Sequence, residues 1–191
     1  MRFAAWEEEL YGDIDRDFIL NGLRNGFDII DKDASPIPVR CDNHISARPG
    51  SPLYDKATKQ ILHEIGMGNY ELVSDPPDII SPMGVIEKPD GGVRLIHDCS
   101  RPEGQAVNDY CTEDWHQKFA RVDDAAALVT EGCFMAKIDL QAAYRSVPIS
   151  KQSQRVTGLQ WTFGNRKVYL RDTKLCFGSR LAPSVFHRLT Q

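Results

Sequence analysis

The stretch "SPMGVIEKPDGGVRLIHDCS" constrains the chain most, because it can hardly be anything but a β-hairpin. Two apolar runs, "MGVIEK" and "VRLIHD", flank "PDGG", and the glycines supply the positive-φ positions that a tight reversal needs. A second pair of alternating runs, "RVTGLQWTF" and "KVYLRDTKL", is separated by "GNR" and predicts another hairpin. Between and around them lie segments of helical period. "LYDKATKQILHEIGMG" places Leu53, Ala57, Ile61, Leu62 and Ile65 on one face, with Gly66 at the stop. "VDDAAALVTEG" reads as a short helix, "CFMAKIDL" as a strand, and "APSVFHRLTQ" as a helix starting after Pro183. "WEEELYGDIDRDFILNGLRNGFDII" reads as one or two short helices, with Phe18, Ile19 and Leu23 on one side and a stop near Gly26. "DASPIPVRCDNHISARPGSP" reads as a connecting loop. Hairpins interleaved with helices predict an α+β fold with a mostly antiparallel sheet and flanking helices.

Composition excludes several classes. No apolar run of membrane-spanning length occurs, and the start, "MRFAAWEEELYGD", has no apolar leader core, which favours an intracellular protein. The five cysteines contain no C-x-x-C pair and read as reduced thiols. Cys41 and His44 have half of a zinc spacing, but no second half follows. The net charge of −4 hides an asymmetry. Residues 1–35 hold nine acids and four bases, whereas residues 145–191 hold nine bases and one acid, Asp172. The second region is a candidate surface for a polyanion, or else a solvated basic face.

Three pieces invite a chemical reading. In "AKIDLQAAYRSVPIS", Asp139 ends the expected strand and Tyr144 follows five residues later. That carboxylate can cap the next helix, pair with a base or hold a metal. Tyr144 by itself also fits a core aromatic. Lys88 and Arg94 bracket the first hairpin's tip, placed either for a phosphate chain or for solvent. In "LCFGSRLAPSVFHRL", Phe177 and Gly178 precede a helix, where a ring can lie on a nucleobase or close a core.

These pieces occur in one recognisable order, and over roughly residues 53–191 the chain resembles the reverse transcriptases of retroelements. "SPMGVIEKPDGGVRLIHDCSRPEGQAVND" is similar to the fingers segment, "AKIDLQAAYRSVPIS" to the first palm motif, and "LCFGSRLAPSVFHRLTQ" to the F-G-x-x-x-A-P-x-x-F motif of retrotransposons. The wording "RLIHDCSRPEGQAVND" leans toward tyrosine-recombinase retrotransposons and their relatives. The resemblance implies a partial right-hand polymerase fold of fingers and incomplete palm over 49–191, behind an acidic helical extension and linker over 1–48.

It also implies roles. Asp139 would be the catalytic carboxylate that holds two Mg²⁺ ions. Lys88 and Arg94 would brace the dNTP triphosphate, and amides near Ala142 and Ala143 would meet phosphate oxygens at a helix start. Tyr144 would be the steric gate against a ribose 2′-hydroxyl, and Phe177 and Gly178 would border the nucleotide. The partners would be dNTPs and an RNA or DNA template with its primer. The family's aromatic-x-Asp-Asp turn does not occur after the "AP" helix, and Cys176 replaces the commoner proline before Phe177-Gly178. A polymerase fragment inactive as this chain is therefore expected, with a non-catalytic nucleic-acid- or protein-binding remnant as the alternative.

Overall fold

A computed structural model describes residues 3–112 and 119–190. Residues 1–2, 113–118 and 191, which the two expected regions include, lie outside the described residues. The described residues form five α-helices and seven strands. They are α1 (Phe3–Glu9), α2 (Arg16–Asn25), β1 (Val39–Arg40), α3 (Tyr54–Gly66), β2 (Tyr70–Val73), β3 (Ile79–Ile80), β4 (Met83–Glu87), β5 (Val93–His97), α4 (Val122–Ala126), β6 (Gly158–Phe163), β7 (Arg166–Asp172) and α5 (Ala182–Thr190).

Both predicted hairpins form. In the first, β4 and β5 pair from Met83–His97 to Glu87–Val93. Lys88 N–H donates to the Gly92 carbonyl at 2.8 Å, and Gly91 N–H donates to the Lys88 carbonyl at 3.0 Å. With Gly91 at φ 78°, this is a type I turn closed by a bulge. In the second, Phe163 pairs with Arg166 across Gly164-Asn165. Gly164 alone takes a positive φ there (59°), as the first position of a type II′ turn requires.

The main sheet is mixed, ordered β1-β3-β6-β7-β2. The ladders β6–β7 and β7–β2 are antiparallel. The shorter β1–β3 and β3–β6 contacts are parallel. β1 and β3 come from segments with no alternating pattern. Part of the expected loop becomes β1 because Val39 N–H bonds the Asp78 carbonyl at 2.8 Å and Cys41 N–H the Ile80 carbonyl at 2.9 Å. Segment 43–46 likewise borders β4: the Asn43 side-chain oxygen accepts from Met83 N–H and the Ser46 hydroxyl from Val85 N–H.

Two apolar clusters form the core. One gathers Ala57 and Ile61 of α3, the inner face of the first hairpin (Met83, Val85, Val93), and Leu159, Trp161 and Leu170 of β6 and β7. Trp161 stacks on Tyr54 at 4.6 Å and donates to Thr58. Leu62, expected on the buried face of α3, is exposed. The other cluster joins Phe27, Ile29 and Ile30 to Val147, Ile149, Leu175, Leu181 and Val185. Residues just after α2 thus share a core with the segments that carry the candidate site.

One expected element is absent. Residues 133–140 form no strand, and Phe134, Met135, Ile138 and Leu140 are exposed. A strand needs a ladder partner for its backbone groups. None of the five strands of the main sheet pairs with this segment. Local propensity therefore does not become a strand here.

Candidate functional site

The first hairpin places two cations together. Met83 and Val85 face the core, so Ile86 and Lys88 point outward by alternation. Arg94 lies opposite Ile86 in the ladder, which puts Lys88 and Arg94 on the same outer face. Both are exposed, and neither makes an ion pair among the described residues. The turn beneath them is anchored: Lys56 Nζ bonds Glu87 at 3.1 Å and the Gly91 carbonyl at 3.0 Å.

At the root of that hairpin sits the turn before α5. A Cβ built on Gly178 would lie 2.1 Å from the His97 carbonyl oxygen, so only glycine fits. Asn108 fixes the turn from the other side. Its amide donates to the Gly178 carbonyl at 3.0 Å, and its oxygen accepts from Arg180 N–H at 2.8 Å. Phe177 is thereby held 76% exposed, with its ring 4.7 Å from that of Tyr144. Tyr144 is half-buried and also touches Phe186 at 5.3 Å; burial raises its phenol. Tyr144, Phe177 and Gly178 are therefore neighbours, and Arg94 stands three residues, roughly 10 Å, along β5 from His97.

The first palm-like motif departs from its expected form. Asp139 is exposed in the irregular segment and makes no hydrogen bond or ion pair among the described residues. The helix expected to start at Ala142 and Ala143 is a single 3₁₀ turn, Ala143–Ser146. Ala142 before it is left-handed, at φ 50°, the one such non-glycine among the described residues. Such a short turn aligns few amides, which weakens it as a phosphate seat.

Arg145 carries a feature that composition did not reveal. Its guanidinium grips Asp172 with both oxygens, at 2.9 and 2.7 Å, and Glu64 at 3.2 Å. It also lies 5.2 Å over the Tyr70 ring. Burial lifts the Asp172 carboxyl to about 6 against the pull of Arg145. For Glu64 the opposite balance holds: burial pushes up, but Asn69 and Arg145 outweigh it and hold the carboxyl low.

Three further bases of the region expected after Arg145 are paired in the same way. Arg155 pairs with Asp78, Arg171 with Glu71 and Arg188 with Asp15. Long-range pairs thus bring acids from the first 78 residues onto four of the region's nine bases, and Lys151, Arg166, Lys167, Lys174 and Arg180 make no ion pair among the described residues. Arg166 and Lys167 remain exposed at the second hairpin's tip.

Cys41 and His44 belong to no three-ligand cluster among the described residues, and the His44 Nδ1 accepts from Ser46 N–H and contacts the Ser46 hydroxyl. Mg²⁺ takes hard oxygen donors, and Asp139 offers one carboxylate. No three-ligand cluster includes it; the metal-competent cluster among the described residues is His97, Cys99 and Cys176. A cleft of about 650 Å³ runs between α2 and α5, and none of the expected site residues lines it.

No protein-family model matches the chain, and no curated protein matches it. Among solved structures it is similar to a foamy viral protease-reverse transcriptase in complex with dsDNA, with 17% identity and a TM-score of 0.58. The alignment covers 97% of this chain and 40% of that one. The likeness is one of fold, reverse-transcriptase-like and α+β, and the chain spans about two-fifths of that neighbour's length. No helix among the described residues is long and apolar enough to cross a membrane.

Proposed function

We propose that the chain is the fingers and part of the palm of an RNA-directed DNA polymerase, with a dNTP seat where its three motifs meet. The observation that carries this reading is the contact of Tyr144 with Phe177, on a turn whose Gly178 is packed against the end of the hairpin bearing Lys88 and Arg94. Residues far apart in sequence thus offer two cations for a triphosphate, an aromatic pair for the nucleoside and a phenol ring beside it. Arg would take phosphate oxygens as a fork and Lys as a point charge. Tyr144 would exclude a 2′-hydroxyl by occupying its space. Amides at Ala142 and Ala143 would add donors. The template–primer would lie along the same outer surface; the neighbour's dsDNA complex and the likeness of fold support that partner class.

Asp139 is the proposed catalytic carboxylate and Mg²⁺ ligand. Among the described residues Asp139 belongs to no three-ligand cluster, and one carboxylate does not hold two Mg²⁺ ions. That observation also favours the second reading, a nucleic-acid- or protein-binding remnant without catalysis.

The test is competition of dNTP and rNTP against a fluorescent dNTP on the purified chain. The native protein is expected to prefer dNTP, and Tyr144→Ala to shrink the preference roughly tenfold or more, the effect of relieving a clash in a shaped pocket. Equal affinities in the native chain, or a ratio unchanged by Tyr144→Ala, would remove the gate assignment.

A further inference from the structure

The cluster of His97, Cys99 and Cys176 has no part in the proposed dNTP seat and lies just behind it. His97 ends β5, Cys99 follows two residues later, and Cys176 arrives from the turn before α5. All three are buried, at 8%, 1% and 3% exposure. The Cys99 and Cys176 sulfurs are 3.5 Å apart, and the three potential donor atoms lie within 4.8 Å of one another. Both ring nitrogens of His97 are buried without a hydrogen-bond partner among the described residues. An imidazole in that state is costly unless something satisfies it.

We infer that His97, Cys99 and Cys176 form a site for one Zn²⁺ ion, bound through two thiolates and a neutral imidazole. The spacing fits. With Zn–S near 2.3 Å and tetrahedral angles, two zinc-bound sulfurs stand roughly 3.8 Å apart, close to the separation of the unbound pair. The charge fits as well. Two thiolates and a neutral imidazole cancel the charge of Zn²⁺. Asp172 does not compete as a ligand, since Arg145 and the Lys174 amide occupy its oxygens. The fourth zinc position is left to a non-protein donor such as water.

The unbound cluster is primed for this exchange. The hydrogen bond with Cys99 holds the Cys176 thiol well below its ordinary range, against burial, and His97 adds to that effect. Burial pulls the His97 ring down, but the adjacent Cys176 sulfur outweighs it and raises the ring. Zinc takes these groups as thiolates and a neutral imidazole, so binding weakens as pH falls. The bound ion would tie the root of the first hairpin to the Phe177-Gly178 turn.

The test begins with wild-type protein purified under reducing conditions. Co²⁺ titration is expected to saturate at one equivalent, with a thiolate-to-cobalt charge-transfer band and visible bands of tetrahedral intensity, both removed by Zn²⁺. In urea just below the unfolding midpoint, where buried thiols open to solvent, Zn²⁺ should also slow alkylation of Cys99 and Cys176 relative to the metal-free chain, read by peptide mapping, while exposed Cys133 reacts alike in both. Cys99→Ser, Cys176→Ser and His97→Asn should each lose or weaken the cobalt bands, and Cys133→Ser should keep them. The wild-type alkylation pattern remains decisive where a buried substitution fails to fold. Absence of a thiolate–cobalt band, bands that survive Cys176→Ser, a Cys99–Cys176 disulfide in the purified chain, or capture of Cu⁺ with no uptake of Zn²⁺ would each overturn the inference.

Discussion

Replacing Arg145 with alanine would strand the Asp172 carboxylate. That group is 1% exposed, and the guanidinium supplies two of its short contacts while holding Glu64 in place. Removing one partner of a buried pair costs about 3–5 kcal/mol, a large share of a small domain's stability. The loss should depend on pH. Burial lifts Asp172 from 3.8 to about 6 in the folded state, so the fold binds its proton more tightly than the unfolded chain does. That preference stabilises the fold below about 4 and is lost as pH rises through about 6. Glu64, held low, contributes the opposite way: its stabilisation is present above its unfolded value and fades as pH falls through the folded one. Without Arg145 the carboxyl of Asp172 climbs further, and its window moves upward by about 1.4 kcal/mol of stability per unit. Urea unfolding followed by tryptophan fluorescence reads the effect. Arg145→Ala should lose about 3–5 kcal/mol near pH 8, recover part of it near pH 5, and be rescued by Arg145→Met with Asp172→Leu. An unchanged midpoint near pH 8, or an equal loss at both pH values, would refute the reasoning.

Gly178→Ala drives a methyl into the His97 carbonyl, 2.1 Å from the ideal Cβ, and should cost about 2 kcal/mol or more in urea unfolding. Lys88→Ala and Arg94→Ala should each weaken dNTP affinity by roughly tenfold with little change in duplex binding; a reduced salt slope of duplex binding instead would make them template contacts. Primer extension on an RNA template should be absent for the purified chain, because Asp139 belongs to no three-ligand cluster among the described residues; extension that Asp139→Asn abolishes would contradict this.

What was legible in the sequence was local. "PDGG" and "GNR" between alternating runs specify turns from within a few residues, and both hairpins follow. Ala57 and Ile61 are buried as their spacing requires, although Leu62 at the edge of the same stripe is not. β1 and β3 were invisible because two-residue strands have no period and are defined by partners across the fold. The strand at 133–140 was misread for the converse reason: its apolar run has strand character but no ladder to join. The ion pairs of Arg145 and Arg188 and the His97–Cys99–Cys176 cluster join residues up to 173 positions apart. Cysteine spacing directed attention to Cys41 and His44, whereas the sulfurs that meet are separated by 77 residues. Asn108 gave no signal either, since one asparagine in a loop does not reveal that it holds Gly178.

Amide chemical-shift mapping of the isotope-labelled chain titrated with a dNTP tests the central claim most directly. The account predicts shifts concentrated on Lys88, Arg94, Ala142, Ala143, Tyr144, Phe177 and Gly178, with a weaker response to the matching rNTP. Shifts confined to the cleft between α2 and α5, around Phe18, Asp28 and Arg188, would contradict it.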